Sequence, residues 1–190
     1  LKKICNKNKI ILIEDAAEAI GQKLNNKLCG SFGDISIFSF YANKQITTGE
    51  GGMITTNNKK LFEKSKSLRN LCFGKKDRFN HEDIGWNYRM TNLQASLGVS
   101  QLKRIKSIVH KRHLVGKEYF QRLKYNKNIY IPETSRNYAK NIYWVIAFVI
   151  TNKNLNIDAK KMMKKLITYG IQTRPFFWPM HKQKIFKEKY

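Results

Sequence analysis

Acidic residues are scarce in this chain: 13 Asp and Glu stand against 37 Lys and Arg in 190 residues, a formal charge of +24. A balance that basic is typical of nucleic-acid or anionic-surface binders. Here the basic residues are spread along the whole chain, with no long block and no stripe interleaved with aromatics. Asn and Ile are abundant beside Lys, and all three have A/T-rich codons, so genome composition accounts for the charge. A basic nucleic-acid-binding protein is the alternative reading, and a surface that draws in a phosphorylated small molecule is another. Cysteine is rare as well. Cys5, Cys29 and Cys72 are far apart and lack CxxC spacing, which excludes a disulfide framework and a zinc site and points to a reducing cytoplasm. No apolar run approaches the roughly 18–20 residues that span a bilayer, so membrane insertion is not expected. No signal peptide, internal repeat or low-complexity linker is visible. The first residue is Leu, and LKKICNKNK reads as the tail of a helix and a loop, so the expectation is an internal piece of a longer protein.

What is present is an α/β pattern. IILIED at 10–15 is a β-branched run ending in carboxylates, the mark of a buried parallel-type strand. AAEAIGQ follows as a short helical or turn segment. DISIFSF at 34–40 and GGMITTNN at 51–58 read as strands, and KKLFEKSKSLRNL at 59–71 as a helix. The stretch 72–90 is irregular. The spacing of Leu93, Leu97, Leu102, Ile105, Ile108 and Val109 predicts one long helix over 91–123, with Thr91 as N-cap. IYWVIAFVI at 142–150 reads as a strong strand. Asp158 caps an amphipathic helix closed by Gly170, and IQTRPFFWPMHKQ reads as a further strand and an aromatic loop. The boundary between a first α/β domain (1–118) and a smaller second one (119–190) lies near 115–130.

Three features converge on 39–52, SFYANKQITTGEGG. Asp15 ends a buried strand, the edge at which open α/β sheets bind ligands; an ordinary strand-end carboxylate is the plainer reading. Ser39, Tyr41, Asn43 and Lys44 follow a second strand end, where desolvation can turn a lysine into an amine nucleophile. TTGEGG lets backbone approach closely and can form an anion-binding concavity, or simply a hairpin turn. It is neither a Walker A motif nor GxGxxG. One chemistry uses all three. Pyridoxal phosphate needs a lysine for its Schiff base, a carboxylate for its pyridine nitrogen and donors for its phosphate.

EDAAEAIG, GSFGDISIFSFYANKQITTGEGGM and GWNYRMTNLQASLGVSQL together resemble, over about 100 residues, the signature blocks of the DegT/DnrJ/EryC1/StrS aminotransferases. YGIQTRPFFWPMHKQ resembles the GDP-perosamine synthase-like branch of that family. The resemblance implies a fragment of a fold-type I pyridoxal phosphate-dependent transferase: part of the large domain's mainly parallel sheet, plus part of the small domain. It implies Lys44 as Schiff-base lysine and proton shuttle, Asp15 on the pyridine nitrogen, Glu18 near the cofactor's 3-hydroxyl and Ser39 on its phosphate. Asn87 would reach the phosphate of the neighbouring subunit in a homodimer with shared sites. Arg89, in the same loop, would support the interface or contact substrate. Arg174 and His181 would contact the sugar or its diphosphate, or else serve packing and surface charge. The substrates implied are glutamate and a nucleotide-linked 4-keto-6-deoxy sugar, for surface polysaccharide such as O-antigen. No metal is implied. Family members are about twice as long, so an incomplete site, or an inactive fragment of the same fold, is the expectation for this chain by itself.

Overall fold

The computed structural model of the protein describes residues 1–132, 135–152, 154 and 156–187. In chain order the elements are α1 (Lys2–Lys7), β1 (Ile13–Asp15), β2 (Lys23–Leu24), β3 (Lys27–Leu28), β4 (Ile35–Ser39), β5 (Gly52–Thr55), α2 (Lys59–Arg69), α3 (Asn92–Leu102), α4 (Ile105–Leu123), β6 (Ile129–Tyr130), β7 (Ser135–Arg136), β8 (Ala139–Lys140), β9 (Val149–Ile150), α5 (Ala159–Thr168) and α6 (Lys184–Lys187). They group into two compact units, Leu1–Arg122 with Glu133–Ile146, and Leu123–Pro132 with Ala147–Tyr190. Residues 133–146 follow the expected boundary in sequence but group with the first unit, where Ala139 of β8 pairs with Leu24 of β2. Among the described residues no helix is long and apolar enough to cross a membrane.

The first unit is built on a three-stranded sheet in the order β1-β4-β5. β1 and β4 run parallel with Asp15 opposite Ile37, while β5 returns antiparallel to β4 with Gly52 opposite Ser39. The three expected strands are therefore present, and their connection through 40–51 is short enough for β5 to reverse direction. A second sheet, β3-β2-β8-β7, was not foreseen. Its β2–β3 hairpin turns on Asn25 and Asn26, at φ of 47° and 62°, the left-handed pair that a two-residue hairpin loop requires.

Helix ends follow the caps written in the sequence. Asn58 accepts from the N–H groups of Lys60 and Leu61 to start α2, and Thr91 with Gln94 closes a capping box on α3. The expected single helix over 91–123 is two. Arg104 N donates to Gln101 O, a tightened i→i−3 turn that separates α3 from α4.

In the second unit, β6 and β9 pair antiparallel. Asp158 caps α5, and Gly170 closes it at φ 74° in a Schellman arrangement, with Ile171 N donating to Leu166 O and Gly170 N to Ile167 O. Only Val149–Ile150 of the strand expected at 142–150 is extended and paired. Tyr143 sits at φ 52°, a left-handed conformation incompatible with a strand. The strand expected after Gly170 is absent from 171–179, and a 3-10 turn at Met180–Lys182 follows.

The buried apolar core of the described residues is small: Cys5, Ala16, Ile20, Ile46, Cys72 and Ile142. The chain exposes 15756 Å². A globular monomer of its 22.3 kDa mass exposes about 9,400 Å², and even two independent halves of that mass would together expose about 11,300 Å². Large apolar side chains are exposed on the three-stranded sheet, where Ile13 is 67% and Ile54 51% exposed, and on α3, where Leu93 is 81% exposed.

Candidate functional site

Because β1 and β4 are parallel, their C-terminal ends face the same way, which puts Asp15 and Ser39 at one edge of the sheet. From Ser39 the chain enters a loop that closes on itself. Lys44 N donates to Tyr41 O, Thr48 N to Phe40 O and Phe40 N to Gly51 O. Gln101 of α3 grips the loop from outside, its Nε2 donating to Thr47 O at 2.7 Å and its Oε1 accepting from Thr47 N at 3.1 Å. The glycine run is the tight return into β5. Gly51 has φ 142°, and a Cβ there would lie 2.6 Å from Thr48 Oγ1 and 2.7 Å from Met90 Cε.

Lys44 is the unusual lysine. Its side chain is only 10% exposed, whereas the Lys64 side chain, in an ordinary surface pair, is 59% exposed. Its Nζ lies 3.5 Å from Glu18 Oε1 and 4.1 Å from the centroid of the Trp144 ring. Gln45, buried beside it, donates Nε2 to Glu18 O at 2.8 Å while its Oε1 has no partner among the described residues. The amine is thus held between a long ion pair and an aromatic face, out of the solvent that surrounds Lys64.

Asp15 is exposed, with Oδ1 accepting from Ala17 N at 3.0 Å. Ser39 Oγ accepts from Tyr41 N at 3.2 Å. Asn87 is exposed on the irregular 72–90 segment. It is bridged through its backbone to Asn70, and its Oδ1 accepts from Arg89 Nε at 2.9 Å. Arg174 and His181 are exposed residues of the second unit. Lys44 and Glu18 are thus in direct contact, Asp15 and Ser39 share their sheet edge, and Asn87 stands on a separate segment. No group of three or more potential metal ligands occurs among the described residues.

Sequence reasoning missed three supporting residues. Glu14, next to Asp15, accepts from Gly30 N at 2.5 Å, Phe32 N at 2.9 Å, Gly33 N at 3.1 Å and Ser36 Oγ at 3.3 Å. Burial would raise its carboxyl, but the N–H groups of Gly30, Phe32 and Gly33 with the Ser36 hydroxyl outweigh it and hold Glu14 below the ordinary glutamate range. Gln101 and Trp144 are the other two, distant in sequence from the loop they hold. The only signal for Glu14 was its place beside Asp15 at the end of an apolar run.

Three relatives frame this geometry. The chain is 36% identical over 181 residues to GDP-perosamine synthase of Vibrio cholerae and 37% identical over 179 residues to that of Caulobacter vibrioides, covering 95% and 94% of this chain. It spans about half the length of these curated relatives, 48% of each. Among solved structures, Helicobacter pylori PseC, an aminotransferase involved in the biosynthesis of pseudoaminic acid, superposes with a TM-score of 0.88 at 30% identity, over 98% of this chain and 50% of that one. The fold is accordingly mixed α/β and corresponds to part of a fold-type I transferase. The DegT/DnrJ/EryC1/StrS aminotransferase family model matches residues 1–190, and the chain belongs to that family.

Proposed function

We propose that this chain carries part of the active site of a pyridoxal phosphate-dependent aminotransferase. The enzyme moves an amino group from glutamate to a nucleotide-linked 4-keto-6-deoxy sugar of the perosamine type, for surface polysaccharide. The observation that carries this reading is Lys44: a lysine withdrawn from solvent at the sheet edge where Asp15 and Ser39 also end. The donor set fits the cofactor. It offers an amine for the aldehyde, a carboxylate for the pyridine nitrogen, a hydroxyl for the phosphate, and the unpartnered buried Gln45 Oε1 close by. Kinship with the perosamine synthases supports the sugar acceptor.

The bound cofactor supplies an electrophilic carbon for amine exchange and a ring that accepts carbanion electrons. Asp15, exposed and held by the Ala17 N–H, would keep the ring nitrogen protonated. Glu18, in contact with Lys44, would orient it and hold the ring hydroxyl. Ser39 would donate its hydroxyl to the phosphate. Lys44 Nζ would act as base and acid in both half-reactions, taking a proton from the donor's Cα in the first and delivering one to the acceptor's C4 in the second. Asn87 would hold the phosphate of a neighbouring subunit's cofactor across a two-fold interface. Arg89 supports that interface, and Arg174 and His181 contact the nucleotide sugar. The uncovered sheet is completed by polypeptide that supplies the remaining half of the large domain.

The test is transamination of GDP-4-keto-6-deoxymannose by the assembled protein with glutamate as donor. Amino-sugar formation by the wild type and none by Lys44→Ala supports the reading. Equal product from both would sink it.

A further inference from the structure

We propose that the segment Asn141–Trp144 is a positioning element for Lys44, in which the face of the Trp144 ring holds the lysine's amine. The inference rests on the reading of Lys44 as the cofactor-binding amine. Its geometry does not depend on that reading.

Ile142, Tyr143 and Trp144 are each tied to other parts of the first unit, and Asn141 sets the turn ahead of them. Asn141 Oδ1 accepts from Tyr143 N at 2.8 Å and forces a turn. Ile142 is buried, and its N–H donates to Gln22 Oε1 at 2.9 Å. Tyr143 holds the left-handed conformation at φ 52°, which a bulky residue keeps only when its surroundings over-determine it. Those surroundings are Gly116 of α4 and the edge of His113. A Cβ at Gly116 would lie 2.3 Å from the Tyr143 ring, so only glycine leaves the ring its seat. Trp144 then receives Arg112 Nη1 on its carbonyl at 3.3 Å and donates its own Nε1 to Asn43 O at 3.1 Å.

The product of this anchoring is one aromatic ring tied to the carbonyl just before Lys44 and lying against the end of the Lys44 side chain, 4.1 Å from Nζ. Backbone strain held in place by so many contacts is typical of functional sites. Glu18, half exposed and 3.5 Å away, is the other group on the amine. The ring therefore does what the carboxylate cannot: it covers Lys44 from water and fixes the direction in which the amine points. A flexible lysine aimed in advance loses less freedom when it reacts.

The experiment is competitive acylation of lysines with limiting acetic anhydride on the assembled protein, read by peptide mass spectrometry. It compares wild type, Trp144→Phe, Trp144→Leu and Gly116→Ala. Leucine keeps apolar bulk without an aromatic face, and phenylalanine keeps the face without the Nε1 bond. Lys44 in the wild type should react more slowly than Lys64. It should react at least about fivefold faster in Trp144→Leu and Gly116→Ala than in wild type, and stay near the wild-type rate in Trp144→Phe. Lys64 should not change in any variant, which reports an intact fold. Equal Lys44 rates in Leu, Phe and wild type would overturn the proposal. If a variant unfolds, the Phe-to-wild-type comparison still decides, because a Lys44 rate in Phe as fast as Lys64 would show that the aromatic face does not shield it. Failure of the cofactor reading looks different: no borohydride-fixed pyridoxal phosphate on wild-type Lys44, with the acylation pattern unchanged.

Discussion

The two sides of the three-stranded sheet's story contrast sharply. At the edge that carries Lys44, this chain supplies its own fastenings: Glu14 binds three backbone N–H groups ahead of β4, Gln101 brackets Thr47, and Trp144 covers the lysine. On the strands themselves, Ile13 and Ile54 lie open on one face of the sheet and Met53 on the other, each about half exposed or more. Polar groups of this chain fasten the loop, whereas its apolar strands stay open. An apolar face of this kind forfeits about 25 cal/mol for each Å² it fails to bury, which favours association through it. The loop around Lys44 is thus held by this chain's own side chains, while the sheet behind it is left open.

The largest effect should come from the open face. Ile13→Lys with Ile54→Lys should reduce aggregation of the chain by itself and abolish its assembly with a co-expressed N-terminal half of a family member, both read by size-exclusion chromatography. Unchanged assembly would show that this face is not the one that is covered.

Next comes Glu14→Gln, which turns an all-acceptor carboxylate into a group that also donates towards backbone N–H groups. It should cost about 2 kcal/mol in urea unfolding of the assembled protein. Glu14 titrates lower in the folded protein than in the unfolded chain. Its contribution is therefore full above the ordinary glutamate value of about 4.3 and is lost as pH falls from there through the depressed folded value. The gap between wild type and Glu14→Gln should close on acidification in that window, and a gap independent of pH would contradict the assignment.

Gln101→Ala removes two hydrogen bonds to Thr47 and should cost about 1 kcal/mol, with faster amide exchange at Thr47 as the specific readout. The smallest effect belongs to the surface pair Lys64–Asp83, at 2.5 Å but largely exposed at both ends. Asp83→Asn should leave the melting temperature within error, because salt and side-chain freedom offset exposed pairs.

The contrast also explains what was legible in advance. The strand ends at Asp15 and Ser39 could be read because strand ends and the short chain between them are local signals. Thr91, Asp158 and Gly170 were legible as caps for the same reason. Trp144 lies 100 residues beyond Lys44 inside an apolar run that pattern alone reads as a strand. The turn in that run is set by Gly116 and Gln22, which no local window contains. The split between α3 and α4 was hidden because neither proline nor glycine marks it; a tightened backbone turn does. Leu93 and Leu97, which helical spacing assigns to a core, are exposed, because periodicity gives a face but not its cover.

The most direct measurement is the visible spectrum of the assembled protein with pyridoxal phosphate, followed by borohydride reduction and peptide mapping. A visible band that borohydride bleaches, with the reduced cofactor found on Lys44 and neither in Lys44→Ala, is the predicted result. A fixed adduct on other lysines, with Lys44 unmodified, would contradict the assignment of Lys44 as the cofactor-binding amine.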